Sequence, residues 1–71
     1  MQEIHLREGE EFIKLGQLLK AAALVQSGVD AKYAVEEGKV TVNGQVCTMR
    51  GKKMHPGDVA AYDGQEVVVR I

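Results

Sequence analysis

Ser27-Gly-Val-Asp-Ala-Lys-Tyr-Ala-Val-Glu-Glu-Gly-Lys-Val-Thr-Val-Asn-Gly44 holds a helix, its end, a change of period and a hairpin turn. Ser27 is placed to cap a helix, and Asp30 stands three residues on, where a capping-box acid would sit. That acid also suits the positive end of the helix dipole. Ala31, Ala34 and Val35 make a short apolar face. Gly38 can close the helix in the left-handed conformation that glycine reaches cheaply. From Lys39 the period becomes two, through Val40-Thr-Val42, and Asn43-Gly44 follows. Asn-Gly between β-prone segments is a strong hairpin signal, because both turn residues need positive φ.

Upstream, Leu15, Leu18, Leu19, Ala22 and Val25 form one stripe at helical spacing, which predicts a helix over Glu10–Val25. Lys14, Gln17 and Lys20 lie off the stripe. Gly16 is out of place in such a helix, since glycine costs about 1 kcal/mol against alanine. It marks either a close backbone approach or a fraying start. Downstream, Gln45–Thr48 is the return strand, and Met49–Met54 is a basic connection with Gly51 as its kink. His55-Pro-Gly-Asp58 is a turn, with proline pre-set for its second position. Val59–Tyr62, the turn Asp63-Gly64 and Glu66–Ile71 complete the chain. Val67-Val-Val69 suggests a strand covered on both faces. The order is ααββββ, an α+β domain with two short helices packed on a small, twisted antiparallel sheet.

With 71 residues the chain makes one domain, and a single cysteine, Cys47, excludes an internal disulfide. Its stability must come from an apolar core. The longest apolar run is Ala21–Val25, far below the roughly 20 residues of a membrane span. The N-terminus has no secretory layout, so a cytoplasmic protein that avoids membranes is expected. HExxH, CxxC, GxxxxGK[ST] and GxSxG are all missing. His5 and His55 are too far apart in sequence for a local metal pair. Catalysis, a cofactor and a metal are therefore not expected. Cys47 reads as a small hydrophobe on a strand.

Nine Lys/Arg against ten Asp/Glu give a net charge of −1, which argues against a generic nucleic-acid binder. The distribution is uneven. Residues 1–11 carry Glu3, Glu8, Glu10 and Glu11 against Arg7, and read as an acidic N-terminal segment, either an exposed arm or the polar start of the first helix. Lys39–Lys53 holds Lys39, Arg50, Lys52 and Lys53 and no acid. Charge pattern decides where a polyanion can sit. The plain alternative is a solvated hairpin surface.

Three stretches together resemble the S4 RNA-binding domain: Ser27–Gly38, Val40-Thr-Val-Asn-Gly44 and Arg50-Gly-Lys-Lys-Met-His-Pro-Gly-Asp-Val59. With Ile13–Lys20, they are similar to the small stand-alone bacterial S4 proteins, and the likeness spans roughly residues 12–71. The resemblance implies the αL-motif fold and binding of structured RNA, ribosomal or transfer RNA, on or off the ribosome or its precursors, through an electropositive face. Residue by residue, Ser27 matches the serine that starts the second helix, and Lys32 the basic residue after its alanine. Lys14 stands near the basic start of the first helix. Arg50, Lys52 and Lys53 match the run before Pro-Gly-Asp. Asn43 and Gly44 match the turn, in a structural role. Gly28, Gly16 and Tyr33 depart from the family pattern, where arginine, an acid and a second basic residue are usual. The departures shift the expected contact toward Arg50–Lys53.

The expected interface is thus Lys14, Lys20, Ser27, Lys32, Arg50, Lys52 and Lys53 on one face of a monomer. Phe12, Tyr33 and Tyr62 are too few aromatics for a single-strand stacking platform. Tyr33 is either a stacking residue or, more simply, a ring covering the helix–sheet seam. A protein–protein adaptor without nucleic acid is the alternative function. A duplex-DNA reader is disfavoured, because Gly28 and Val29 stand where base-reading side chains would be needed.

Overall fold

A computed structural model describes all residues, 1–71. The elements run β1 Gln2–His5, β2 Ile13–Lys14, α1 Leu15–Ala21, α2 Gly28–Glu36, β3 Val40–Val42, β4 Gln45–Val46, β5 Lys53–Met54, β6 Val59–Tyr62 and β7 Gln65–Arg70. Five strands form one sheet in the order β1-β7-β6-β3-β4, and β2 and β5 form a separate two-stranded ladder. The α+β class holds, with two helices packed on a small sheet. The sheet is mixed, however, because β1 runs parallel to β7, Gln2 opposite Val67 and His5 opposite Arg70. The expectation of a wholly antiparallel sheet is corrected at this edge. β1 and β7 come from opposite ends of the chain, so no hairpin sets their relative direction. The first residues of the acidic segment are therefore an edge strand, neither a free arm nor a helix start.

One apolar cluster joins the layers. Leu15, Leu18, Leu19, Ala22 and Val25 meet Ala31, Ala34 and Val35 of α2, Val40 and Val42 of β3, Met54, Ala60, and Val67 and Val69 of β7. The three leucines are fully buried, worth about 1.5–3 kcal/mol each. Val68, on the other face of β7, is buried too, so the valine run is covered on both sides.

The predicted first stripe is all buried, yet its helix is much shorter than Glu10–Val25. It starts at Leu15 and ends at Ala21, and the chain turns at Ala23, whose φ is 59°. Ala23 N–H donates to the Lys20 carbonyl at 3.0 Å and Leu24 N–H to the Leu19 carbonyl at 3.0 Å, the two bonds of a Schellman motif. The second helix ends the same way. Gly38 N–H donates to Val35 and Lys39 N–H to Ala34, both at 3.1 Å, with Gly38 at φ 75°. Asn43-Gly44 has the paired positive φ values of a type I′ hairpin, 51° and 86°. His55-Pro-Gly-Asp58 closes with Asp58 N–H donating to the His55 carbonyl at 2.9 Å, Gly57 supplying φ 95°, a type II turn.

Candidate nucleic-acid interface

The start of α1 has no side-chain cap; its N-cap is Lys14. The basic connection caps it instead. Leu15 N–H donates to the Lys52 carbonyl at 2.8 Å and Gly16 N–H to the Arg50 carbonyl at 2.9 Å. Two of the orphan donors of the helix are thereby satisfied by backbone from a distant loop. The adjoining ladder puts Lys14 directly opposite Lys53 and Ile13 opposite Met54. A Cβ on Gly16 would stand 3.5 Å from the Arg50 carbonyl oxygen and 3.6 Å from Arg50 Cβ. Gly16 therefore lies where two backbones come close, the first of the two readings its position allowed.

This docking opens a cleft of about 410 Å³ lined by Lys14, Gln17 and Lys20, by Arg50, and by Gly16, Gly28, Ala31 and Gly51. Three cations from β2, α1 and the 50–51 turn thus share a cleft that has no carboxylate in its lining. A second groove shares Gly51 and adds Met49, Lys52, Lys53, His55 and Asp58. Lys53 Nζ lies 5.0 Å from the centre of the Phe12 ring, a cation–π contact that steadies it. The Phe12 ring in turn sits 6.0 Å from that of His55.

Ser27 is the N-cap of α2, and its Oγ accepts from Asp30 N–H at 3.1 Å, as the sequence indicated. Its hydroxyl is therefore occupied in holding the helix. Gly28 and Val29 N–H groups carry no protein partner. Lys32 is half-buried one turn beyond Gly28 and lines neither groove. Of the seven expected residues, Lys14, Lys20 and Arg50 are brought together, Lys52 and Lys53 adjoin them, and Ser27 and Lys32 stand at the border. Sequence reasoning missed Gln17 and the three glycines of the cleft. The one available signal was Gly16, out of place in its helix.

The six cations share a second property. The ion pairs in the molecule are His5–Glu3, Lys39–Glu37, His55–Asp58 and Arg70–Glu3. None involves Lys14, Lys20, Lys32, Arg50, Lys52 or Lys53. The one carboxylate in the second groove, Asp58, is engaged in the turn. Its Oδ2 accepts from His55 N–H at 2.8 Å, and its Oδ1 accepts from Asn43 Nδ2 at 3.1 Å. The His55 N–H bond, then the Asn43 bond and the nearby charges of His55 and Lys52, hold its carboxyl below the usual range against the opposing effect of burial. Asn43 Oδ1 also accepts from Val59 N–H at 2.9 Å, so the hairpin side chain ties the turn to the sheet.

The family model for the S4 domain matches residues 4–70. The chain belongs to the S4 domain family. It is 44% identical over 54 residues to the probable ribosome maturation protein RlbA of Bacillus subtilis, covering 76% of each chain. It is 37% identical over 57 residues to the putative RNA-binding protein YbcJ of Escherichia coli, covering 80% of this chain and 81% of that one. The solution structure of YbcJ, described as revealing an αL motif involved in RNA binding, superposes with a TM-score of 0.73 at 32% identity, over 100% of this chain and 89% of that chain. These S4 relatives are named for RNA binding and ribosome maturation, and none of these names denotes a catalysed reaction. The S4 match begins at residue 4, so it takes in the second half of β1 as well as nearly all of the stretch 12–71 that carried the likeness in sequence. No helix of this S4 chain is long and apolar enough to cross a membrane.

Proposed function

We propose that this chain binds structured RNA, ribosomal RNA or its precursor foremost and transfer RNA next, without catalysis. The observation that carries the reading is the acid-free cleft where Lys14, Lys20 and Arg50 converge from three elements. Lys52 and Lys53 extend it, and Lys32 with the Ser27-capped start of α2 borders it. Membership of the S4 family and the names of the relatives support RNA as the ligand, and RlbA supports a ribosomal context. Phosphates entering the cleft displace condensed counterions, so affinity falls with salt. Three to five engaged phosphates give a log–log slope of about −2 to −3.5, taking roughly 0.7 per phosphate. Backbone shape and 2′-OH contacts then carry most of the selectivity for a folded RNA.

The test is a salt series with folded ribosomal and transfer RNA fragments, repeated with Arg50, Lys52 and Lys53 all changed to Glu. The expected result is a steep slope that the triple variant flattens. A salt-independent affinity, or a folded triple variant with unchanged affinity, overturns the reading.

A further inference from the structure

Helix α2 has a second flank. Asp30, Tyr33, Ala34 and Glu37 follow at steps of three, one and three along it, a stripe at helical spacing. Gly28 and Ala31, which line the cationic cleft, lie about 140° away around the helix axis at 100° per residue. The stripe, with Leu24, Val25, Gln26 and Tyr62, lines a separate groove of about 290 Å³. This groove holds two tyrosines, two carboxylates and no cation. Tyr33 is 57% exposed even though it stands at the seam between α2 and the sheet. The carboxylate of Asp30 has no partner; only its backbone N–H is engaged, by Ser27. Glu37 meets Lys39 Nζ at 3.5 Å in an exposed pair, which contributes little and is easily exchanged.

We infer that the groove between α2 and β6 is a docking site for a basic protein segment that places an arginine or lysine between Tyr33 and Asp30 and an apolar side chain against Leu24 and Tyr62. Charge complementarity selects this occupant. The two carboxylates repel a phosphate backbone, which disfavours RNA on the same surface. Tyrosine faces and a free carboxylate together attract a cationic side chain, and half-exposed apolar groups beside them favour an amphipathic partner over a purely polar one. The inference goes beyond RNA binding. It makes α2 a partition, with RNA on one flank and protein on the other, so that one small domain can hold both at once.

The experiment is an amide NMR titration of the isotope-labelled full chain without RNA. The probe is a capped hexapeptide alternating arginine and leucine, with a capped glutamine–leucine hexapeptide as control. The arginine peptide is expected to move the amides of Leu24–Gln26, Asp30, Tyr33, Glu37 and Tyr62. Asp30→Asn and Tyr33→Ala are each expected to weaken it roughly 3- to 10-fold. Because Tyr33→Ala also uncovers the seam, Asp30→Asn is the decisive variant, since its amide keeps the size of the carboxylate. A second titration with a ribosomal RNA hairpin is expected to move Lys14, Lys20 and Arg50 and to leave the peptide sites free. Four outcomes overturn the inference: no peptide shifts at millimolar concentration, equal binding of the neutral peptide, shifts centred on Glu8–Glu11, or RNA shifts in the groove. Failure of the RNA titration alone refutes the RNA reading and leaves the peptide result to stand by itself.

Discussion

Asn43 is the residue whose replacement separates two contributions that one motif combines. It sits at φ 51°, where alanine costs about 1–2 kcal/mol and glycine almost nothing. Its side chain accepts from Val59 N–H at 2.9 Å and donates to Asp58 Oδ1 at 3.1 Å. Leaving the half-buried Val59 N–H without an acceptor costs about 1 kcal/mol. The bond to Asp58, at a partly solvated carboxylate, contributes roughly 0.5–1 kcal/mol. Asn43→Ala should therefore destabilise by about 2.5–4 kcal/mol, and Asn43→Gly by about 1.5–2 kcal/mol, since glycine restores the backbone conformation but not the bonds. A chain of this length has a total stability of roughly 4–11 kcal/mol, so the alanine variant approaches the edge of folding. Urea denaturation followed by far-UV circular dichroism reads both, as shifts in midpoint at constant slope. Equal losses in the two variants would refute the backbone argument. A glycine variant as stable as the parent would refute the claim that the side chain holds the 55–58 turn to the sheet.

Other expectations follow from single observations. Asp58 is held below its ordinary value of 3.8, first by the His55 N–H bond. Its stabilising contribution is therefore complete above the unfolded value and disappears as the pH falls through the lower folded one. Acid titration of stability should show that loss, and Asn43→Gly should make it smaller, because one of the bonds lowering the value is gone. Ala23→Gly relieves a left-handed alanine on an exposed turn and should stabilise by roughly 0.5–1 kcal/mol, a rise of about 2–8 °C in Tm by calorimetry; no rise would contradict the Schellman assignment. Glu10 and Glu11 line the same surface hollow as Lys14 and Gln17. Glu10→Gln with Glu11→Gln should raise RNA affinity roughly 2- to 5-fold at low salt and hardly at all at high salt. An unchanged affinity at low salt would show that these acids do not face the bound RNA.

The contrast between the two helix ends shows what a sequence can announce. Both close in a Schellman motif. Gly38 advertised one of them, because glycine after a helical stripe has few other uses. Ala23 advertised nothing, since Ala21-Ala-Ala23 continues a helix by every local preference, and only the packing of Val25 and the turn into α2 override it. Length explains a second failure. The β2–β5 ladder has two residues per strand, too few to show a period of two, so the segment before α1 looked like more of the helix. Likewise β1 was legible only as part of the acidic segment 1–11, because an edge strand paired on one side needs little apolar alternation. Turn chemistry was readable at Asn43-Gly44, Pro56-Gly57 and Asp63-Gly64, where a glycine supplies a positive φ.

The candidate interface was legible in its composition and not in its construction. Lys14 and Arg50 are far apart in the chain, and what joins them is backbone: two helix N–H groups donating to the carbonyls of Arg50 and Lys52. No side-chain pattern encodes such a cap, and its only trace was a glycine out of place at the start of the helix, beside the Arg50 backbone. A chain with net charge −1 can still present a positive face because many of its acids are engaged elsewhere. Glu3 lies beside Arg70 and His5, and Glu37 beside Lys39. Glu10 accepts from Arg7 N–H at 2.7 Å, and Asp58 is built into a turn. These four acids are thus held along the β1 edge, in turns and at the end of α2, while six cations remain without an ion-pair partner. Net charge averages over this separation. The field that an approaching polyanion meets does not, and that is why the distribution, and not the total, governs binding in a domain of this size.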